Sequence, residues 1–293
     1  MNWKEVRISL NLEAVEAAIN ILQEYGTRGV ITKNIEDNKE KSRQLVTAYF
    51  PDNDKFDKLL AEIKTKINNL STYNLDASNV YYQINLCKDR NWNKSWHKFF
   101  KPQPVGKFII CPSWEDCSDE NRIVINLDPG QAFGTGCHIT TRLALSLIES
   151  CVAINNIDNM LDIGTGTAVL SIAAARLGVK NIMGIDIDRA AVRAAQKNIE
   201  INNVSEYITI KQSNLFSAVT DKYSLVVANL LPNIILRLLP ELPLYVKKKG
   251  FIILSGINDN YEKDILDQLN RLQLELVDKI SKEDWTALVA QKG

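Results

Sequence analysis

Histidine is scarce in this chain. Only His97 and His138 occur among 293 residues, and no Cys-x-x-Cys pair accompanies them, so the common zinc sites lack their ligands. The five cysteines (Cys87, Cys111, Cys117, Cys137, Cys151) are scattered and odd in number. They read as reduced thiols of a cytosolic protein. An excess of either charge is missing too: 35 Lys/Arg stand against 35 Asp/Glu. That balance excludes a global electrostatic pull toward nucleic acid. No apolar run approaches the roughly 20 residues of a membrane span, and the first residues lack the signal-peptide pattern. A cytoplasmic protein with no membrane partner is expected. The G-x-x-x-x-G-K-[ST] run is also absent, which argues against a nucleoside triphosphate. The length suits one large domain or two modest ones.

What is present is concentrated between residues 158 and 190. A short run, Met160-Leu161-Asp162-Ile163, meets Gly164-Thr165-Gly166-Thr167, and an Ala-rich helical stretch follows. A second run, Ile182 to Ile185, ends in Asp186. Strand, glycine turn, helix, strand and acid make half of a nucleotide-binding α/β sheet. Gly164 and Gly166 carry no Cβ and let a ligand approach the backbone. Asp186 stands where a carboxylate can accept both ribose hydroxyls. The alternative is a βαβ unit whose glycines only make a tight turn. A dinucleotide fingerprint needs a third glycine three residues after Gly166, where this chain has Val169. Arg189, the one basic residue close behind Asp186, reads as solvent-facing on the next helix, so no 2′-phosphate is indicated. A nucleoside without pyrophosphate remains, such as S-adenosylmethionine.

Before this unit, residues 1–87 read as β-α-β-β-α-β. Trp3 to Leu10 alternates like a strand, while Val15, Ala18, Ile19 and Leu22 keep helical spacing within Leu12 to Tyr25. Val30 to Ile35 and Arg43 to Phe50 read as strands. Phe56, Leu59, Leu60, Ile63 and Ile67 form a helical stripe, and Val80 to Leu86 closes the set. This order predicts a small ferredoxin-like α+β domain. With 11 basic and 11 acidic residues through position 75, it is no electrostatic nucleic-acid clamp. It suits recognition of a macromolecular partner, with packing or oligomerisation as the alternative. Residues 88–106 read as a linker, in which Trp92, Trp96 and Phe99 share one helical face and lysines the other. Docking onto its own domain is favoured over base stacking. Residues 107–293 then read as a seven-stranded doubly wound sheet. Tyr223 to Ala228 delivers Asn229 at a strand end, Ile234 to Val246 is a helix interrupted by Pro240 and Pro243, and two strands close the domain. Ligands bind at the carboxyl edge of such sheets, which would gather Gly164, Asp186 and Asn229.

A second polar segment, Leu127 to Thr141, reads LDPGQAFGTGCHITT. Asp128, Gly130, Gly134, Thr135, Gly136 and His138 form a loop suited to folding over a ligand, and Thr140 and Thr141 open a helix. Thr141 reads equally well as a plain helix-start residue. Together with LDIGTGT, GIDID, VVANLL, DWTALVAQK and the Trp92 to Pro102 segment, this loop resembles the PrmA family, methyltransferases of ribosomal protein L11. The resemblance runs over nearly the whole chain. It implies a class I, Rossmann-like methyltransferase domain preceded by the small domain. It also implies S-adenosylmethionine held at Thr141, Gly164, Asp186 and Asn229, with Gly166 in the same turn, and no metal. Two departures stand out: Ala168 where the family has glycine, and Leu230-Leu231-Pro232 where it has Ile-Leu-Ala.

The implied reaction moves a methyl group from sulfonium to lysine side-chain amines of ribosomal protein L11, with an N-terminal amino group as a further candidate acceptor. The amine must be neutral, against an ordinary lysine pKa of about 10.4. A positive charge about 4 Å away opposes its protonation by roughly 4 kcal/mol at an effective dielectric of 20. No dedicated base is then required, and positioning dominates. Asn229 is expected to orient the amine, and His138 to hold the loop by hydrogen bonding. The small domain is expected to grip the protein substrate, the linker lets the catalytic domain reorient, and the acting unit is a monomer that needs no nucleic acid. Three alternatives stay open: a same-fold methyltransferase acting on another protein or a small-molecule amine, a non-catalytic ribosome-binding module, and an NAD-dependent oxidoreductase.

Overall fold

Alternation from Trp3 to Leu10 produces strand β1 (Asn2–Asn11), whose Val6, Ile8 and Leu10 point into one apolar layer. The computed structural model describes residues 2–25, 27, 30–35, 43–73, 76, 79–88, 101–128 and 138–293. By its contacts the chain divides into two units, Met1–Phe99 and Phe100–Gly293.

In the first unit, β1 runs antiparallel to β3 (Arg43–Pro51) and to β4 (Tyr81–Lys88), and β2 (Val30–Ile35) flanks β3. The order β2-β3-β1-β4 is that of a split βαβ sheet. Helices α1 (Leu12–Glu24) and α2 (Phe56–Asn68) cover the face that presents Val6, Ile8, Val46 and Ala48. The helical stripe behaves as its spacing predicts, with Phe56, Leu60, Ile63 and Ile67 all buried. Residues 89–100, with Trp92, Trp96, Phe99 and Phe100, lie outside the described residues.

The second unit opens with a small sheet not anticipated from the sequence. Strands β5 (Gln103–Val105), β6 (Phe108–Pro112) and β7 (Ile123–Leu127) pair in that order. Pro104 and Gly106 read as a break, but Pro104 sits in a short edge strand, where its missing N–H is harmless. The main sheet follows: β8 (Met160–Ile163), β9 (Ile182–Asp186), β10 (Ile208–Gln212), β11 (Tyr223–Asn229), β12 (Val246–Asn258), β13 (Leu274–Lys282) and β14 (Trp285–Lys292). Their order is β10-β9-β8-β11-β12-β14-β13, parallel through β12 and antiparallel at the last two pairings. Seven strands with a central reversal at β8/β11 match the doubly wound expectation.

Helices α3 (Ile139–Ile154), α4 (Val169–Arg176) and α5 (Arg189–Ile201) pack one face of this sheet. Helices α6 (Pro232–Leu238) and α7 (Asp259–Arg271) pack the other. Strands buried on both faces need unbroken apolar runs, which is what β11 and β12 supply. The helix read at Ile234 to Val246 is corrected in extent. It starts at Pro232, ends at Leu238, and is followed by a short 3-10 turn, Leu242–Tyr245. Proline at N1 starts a helix instead of breaking it. The reading of all cysteines as reduced is also corrected, because Cys111 and Cys117 are disulfide-bonded across the turn that leaves β6. Cys151 is a free, buried thiol. Among the described residues no helix is long and apolar enough to cross a membrane.

Candidate active site

Strands β8, β9 and β11 end side by side, and each delivers one element of the site at its carboxyl edge. After β8 the chain turns at Gly164, whose N–H donates to the Ile185 carbonyl at 2.8 Å, as does that of Thr165 at 2.9 Å. Gly164 has φ +73°, and a Cβ there would lie 2.4 Å from Leu230 Cδ2. The left-handed φ is what favours glycine here, since the end of the Leu230 side chain can shift for a Cβ. The Gly166 N–H donates to Asp186 Oδ2 at 3.0 Å, and Asp188 N–H donates to Asp186 Oδ1 at 3.0 Å. Turn and carboxylate thus align each other. Ile187, next in sequence, is 63 % exposed, an apolar surface beside the acid.

Beneath the turn lies a carboxylate absent from the sequence-derived set. Asp162 is fully buried in β8, and its Oδ2 accepts from Ser171 Oγ at 2.6 Å and Thr165 Oγ1 at 2.8 Å. Burial pushes its carboxyl up to about 6, against the pull of those two hydroxyls and with a smaller upward push from Asp186. Gly184 belongs to the same arrangement, because a Cβ at that position would meet Thr165 Oγ1 at 2.9 Å. The signal in the sequence was an acid inside an apolar strand, a charge that burial tolerates only with partners.

The upstream threonines arrive on α3. His138 caps this helix: its Nδ1 accepts the Thr140 N–H at 3.3 Å and contacts Thr140 Oγ1 at 2.8 Å. Burial lowers the His138 pKa, which keeps the ring neutral and Nδ1 able to accept. Trp285 packs against the ring edge-on, centroids 5.4 Å apart. Thr141, 1 % exposed, receives Asn229 Nδ2 on its Oγ1 at 3.2 Å. Ser255, paired with Asn229 across β12 and β11, ties these pieces together. Its Oγ donates to the Thr140 carbonyl at 2.8 Å, and its own carbonyl accepts the Leu230 N–H at 3.1 Å.

The structure therefore joins Thr141 to Asn229 and Gly166 to Asp186 by direct hydrogen bonds, with Gly164 packed against Leu230. Gly130, Gly134, Thr135 and Gly136 lie outside the described residues; Asp128 is described, ion-paired with Lys197. At the two departures from the family pattern, Ala168 takes the left-handed conformation (φ +65°) and is fully buried. Pro232 is buried at the start of α6, while Leu231 before it is 62 % exposed at the lip of the site. The residues fit a nucleoside carrying an amino-acid tail: a carboxylate at the end of β9, a close backbone approach at Gly164, an apolar surface at Ile187, and polar side chains at Thr141 and Asn229.

The profile of the family described as ribosomal protein L11 methyltransferase (PrmA) matches residues 2–293. The ribosomal protein L11 methyltransferase of Bacillus pumilus is 35% identical over 313 residues, covering 100% of both chains. That of Halalkalibacterium halodurans is 34% identical over 316 residues, covering 100% of this chain and 99% of its own. A crystal structure of ribosomal protein L11 methylase from Lactobacillus delbrueckii subsp. bulgaricus superposes with a TM-score of 0.60 at 32% identity. It covers 64% of this chain and 97% of its own.

Proposed function

Because the chain belongs to the ribosomal protein L11 methyltransferase family, we propose that it transfers methyl groups from S-adenosylmethionine to lysine side-chain amines, and to the N-terminal amino group, of ribosomal protein L11. The observation that carries this reading is the Thr141–Asn229 hydrogen bond placed beside the Gly164 turn and Asp186. S-adenosylmethionine supplies an electrophilic methyl group on a sulfonium centre. Thr141, Gly164, Gly166, Asp186 and Asn229 hold it in this reading, with the Asp186 carboxylate accepting from the ribose.

Asn229 orients the incoming amine. Its Nδ2 is committed to Thr141 Oγ1, which leaves Oδ1 as the atom that accepts from an amine N–H. Other titratable groups of the site are already engaged. His138 Nδ1 caps α3, Asp162 lies buried under the turn, and Asp186 holds Gly166 and Asp188. None of the three is placed to remove a proton, so catalysis rests on orientation and on shedding the amine proton to solvent before transfer. Leu231 contributes an apolar lip that disfavours a charged ammonium. The N-terminal unit grips the protein substrate in this reading, and a single chain is the acting unit.

The test combines calorimetric titration with S-adenosylmethionine, and separately NADH, with mass spectrometry of ribosomal protein L11 after incubation. Wild-type protein should bind S-adenosylmethionine and not NADH. Asp186→Ala, losing charge-assisted hydrogen bonds, should bind at least roughly tenfold more weakly. Lysine-containing peptides of the ribosomal protein should gain methyl groups, and Asn229→Ala should lower kcat more than it weakens cofactor binding. A folded protein that ignores S-adenosylmethionine would sink the proposal, as would methylation of small amines with none on the ribosomal protein.

A further inference from the structure

Asn198 on α5 and Asn202, the residue that caps its C-terminus, lie four residues apart and point inward where an amphipathic helix usually presents apolar groups. Asn198 and Asn202 are both fully buried. Each clamps one residue of the β7 segment through both its N–H and its carbonyl. Asn202 Oδ1 accepts the Asn126 N–H at 2.9 Å, and its Nδ2 donates to the Asn126 carbonyl at 2.6 Å. Asn198 does the same two residues later, accepting the Asp128 N–H at 2.8 Å and donating to the Asp128 carbonyl at 3.1 Å. The two clamps differ in one respect. Asn198 Nδ2 also donates to the Thr167 carbonyl at 3.0 Å, whereas the second Asn202 bond returns to the carbonyl of Asn198 within its own helix.

That single difference connects α5 to the glycine turn. Thr167 lies between Gly166, whose N–H holds Asp186, and Ala168, which sits in the left-handed conformation. A non-glycine residue resists that conformation, so the Thr167–Ala168 peptide is the unit of the turn most prone to rotate. Rotating it would break the 2.8 Å bond from the Ala168 N–H to the Thr165 carbonyl, which belongs to the same peptide as the Gly166 N–H that holds Asp186. Fixing the Thr167 carbonyl prevents this. The same amide fixes Asp128, whose carboxylate is additionally ion-paired with Lys197, the neighbour of Asn198. Burial makes the arrangement stiff, because an amide group stripped of any of these partners would have no water to replace it.

We infer that Asn198 is a positioning residue of the cofactor site. It locks the Thr165–Ala168 turn against Asp186 and couples that turn to the Asp128 segment, whereas Asn202 serves the fold alone. The inference rests on the proposed binding of S-adenosylmethionine at this turn. Asn202 provides the internal control, since it has equal burial, the same residue type and the same kind of clamp, one turn further along at the C-cap of α5.

Asn198→Leu, Asn198→Asp and Asn202→Leu in the full chain test it by calorimetry with S-adenosylmethionine, thermal unfolding, and steady-state kinetics. Both Asn198 variants should bind S-adenosylmethionine roughly tenfold more weakly, with its KM raised in step and kcat at saturation retained, as expected from loss of about one to two buried hydrogen bonds. Asn202→Leu should melt lower yet bind as wild type does. Unchanged affinity in both Asn198 variants, or equal weakening in the Asn202 variant, overturns the inference. Should neither Asn198 variant fold, amide exchange of the wild-type protein decides it. S-adenosylmethionine should slow exchange of the Asp128 N–H and leave that of Asn126 unchanged; equal protection of both, or of neither, overturns the inference. Failure of the wild-type protein to bind S-adenosylmethionine at all overturns the functional reading, and this inference with it.

Discussion

Replacing Asp162 with asparagine should change the stability of the protein in a pH-dependent way whose sign reverses. Its carboxyl is fully buried, and burial raises its pKa from an ordinary 3.8 to about 6. Between those values the native state holds a proton that the unfolded state has released, so stability falls as pH climbs through the window and levels off above it. At about 1.4 kcal/mol per pH unit, the native protein forgoes about 3 kcal/mol by pH 7. Asparagine removes this dependence. Its Oδ1 can accept from Ser171 and Thr165 as Oδ2 does now, but its Nδ2 replaces Oδ1, an atom without a hydrogen-bond partner in its buried position. A donor buried without an acceptor costs about 1–3 kcal/mol. Asp162→Asn should therefore be less stable than wild type by about 1–2 kcal/mol at pH 4 and more stable by a similar margin at pH 7. Urea unfolding of both proteins, followed by circular dichroism at half-unit steps across this range, reads the difference directly. Other carboxylates slope the opposite way. Glu262, for instance, is held below its ordinary value by Lys279 and Thr286, but that contribution cancels between the two proteins. Stability curves that run parallel from pH 4 to pH 7 would refute the assignment of the buried charge to Asp162.

At Gly256, which has φ +87°, a Cβ would lie 2.3 Å from the Leu230 carbonyl oxygen. Gly256→Ala should cost about 2 kcal/mol or more of stability and weaken cofactor binding by displacing Asn229; thermal unfolding that matches wild type would contradict the geometry. The Cys111–Cys117 disulfide, spanning 6 residues, closes a short loop beside β7. Cys111→Ser should lower stability by about 2 kcal/mol in oxidising buffer. Dithiothreitol should erase the difference, and equal stability under both conditions would show that the bond contributes nothing.

Periodicity located every strand of both larger sheets and most helices, because those elements bury whole faces and so need regular apolar spacing. That Gly164, Asp186 and Asn229 stand at the carboxyl ends of neighbouring strands was legible from the order of strand, turn, helix and strand, whereas the Gly166–Asp186 bond was not. What stayed hidden depends on contacts remote in sequence. Asn198 and Asn202 look like the solvent side of an amphipathic helix, since nothing local shows that β7 will lay backbone amides against them. Asp162 sat within an apolar run, and its partners Thr165 and Ser171 become visible only once the turn folds back. Sheet β5-β6-β7 was obscured by Pro104 and Gly106, whose role as breakers is overridden at a sheet edge. Scattered cysteine spacing likewise cannot show that the turn after β6 brings Cys111 to Cys117. The Asn229–Thr141 bond lies between, for each residue stood out at an element boundary while their contact across 88 positions did not.

Strand β14 lies between β12 and β13, antiparallel to both, although it is made after each of them. During synthesis β12 and β13 emerge first and have no ladder to share. The hydrogen-bonding edge of β12, rich in Ile252, Ile253 and Leu254, remains open until Trp285 to Lys292 arrives to fill the gap. Until then the nascent domain carries an apolar strand edge of the kind that recruits other chains. The strand of this sheet made after all the others is thus the one that finishes it. A product interrupted before Trp285 is left with an adhesive edge, a substrate for chaperones and proteases.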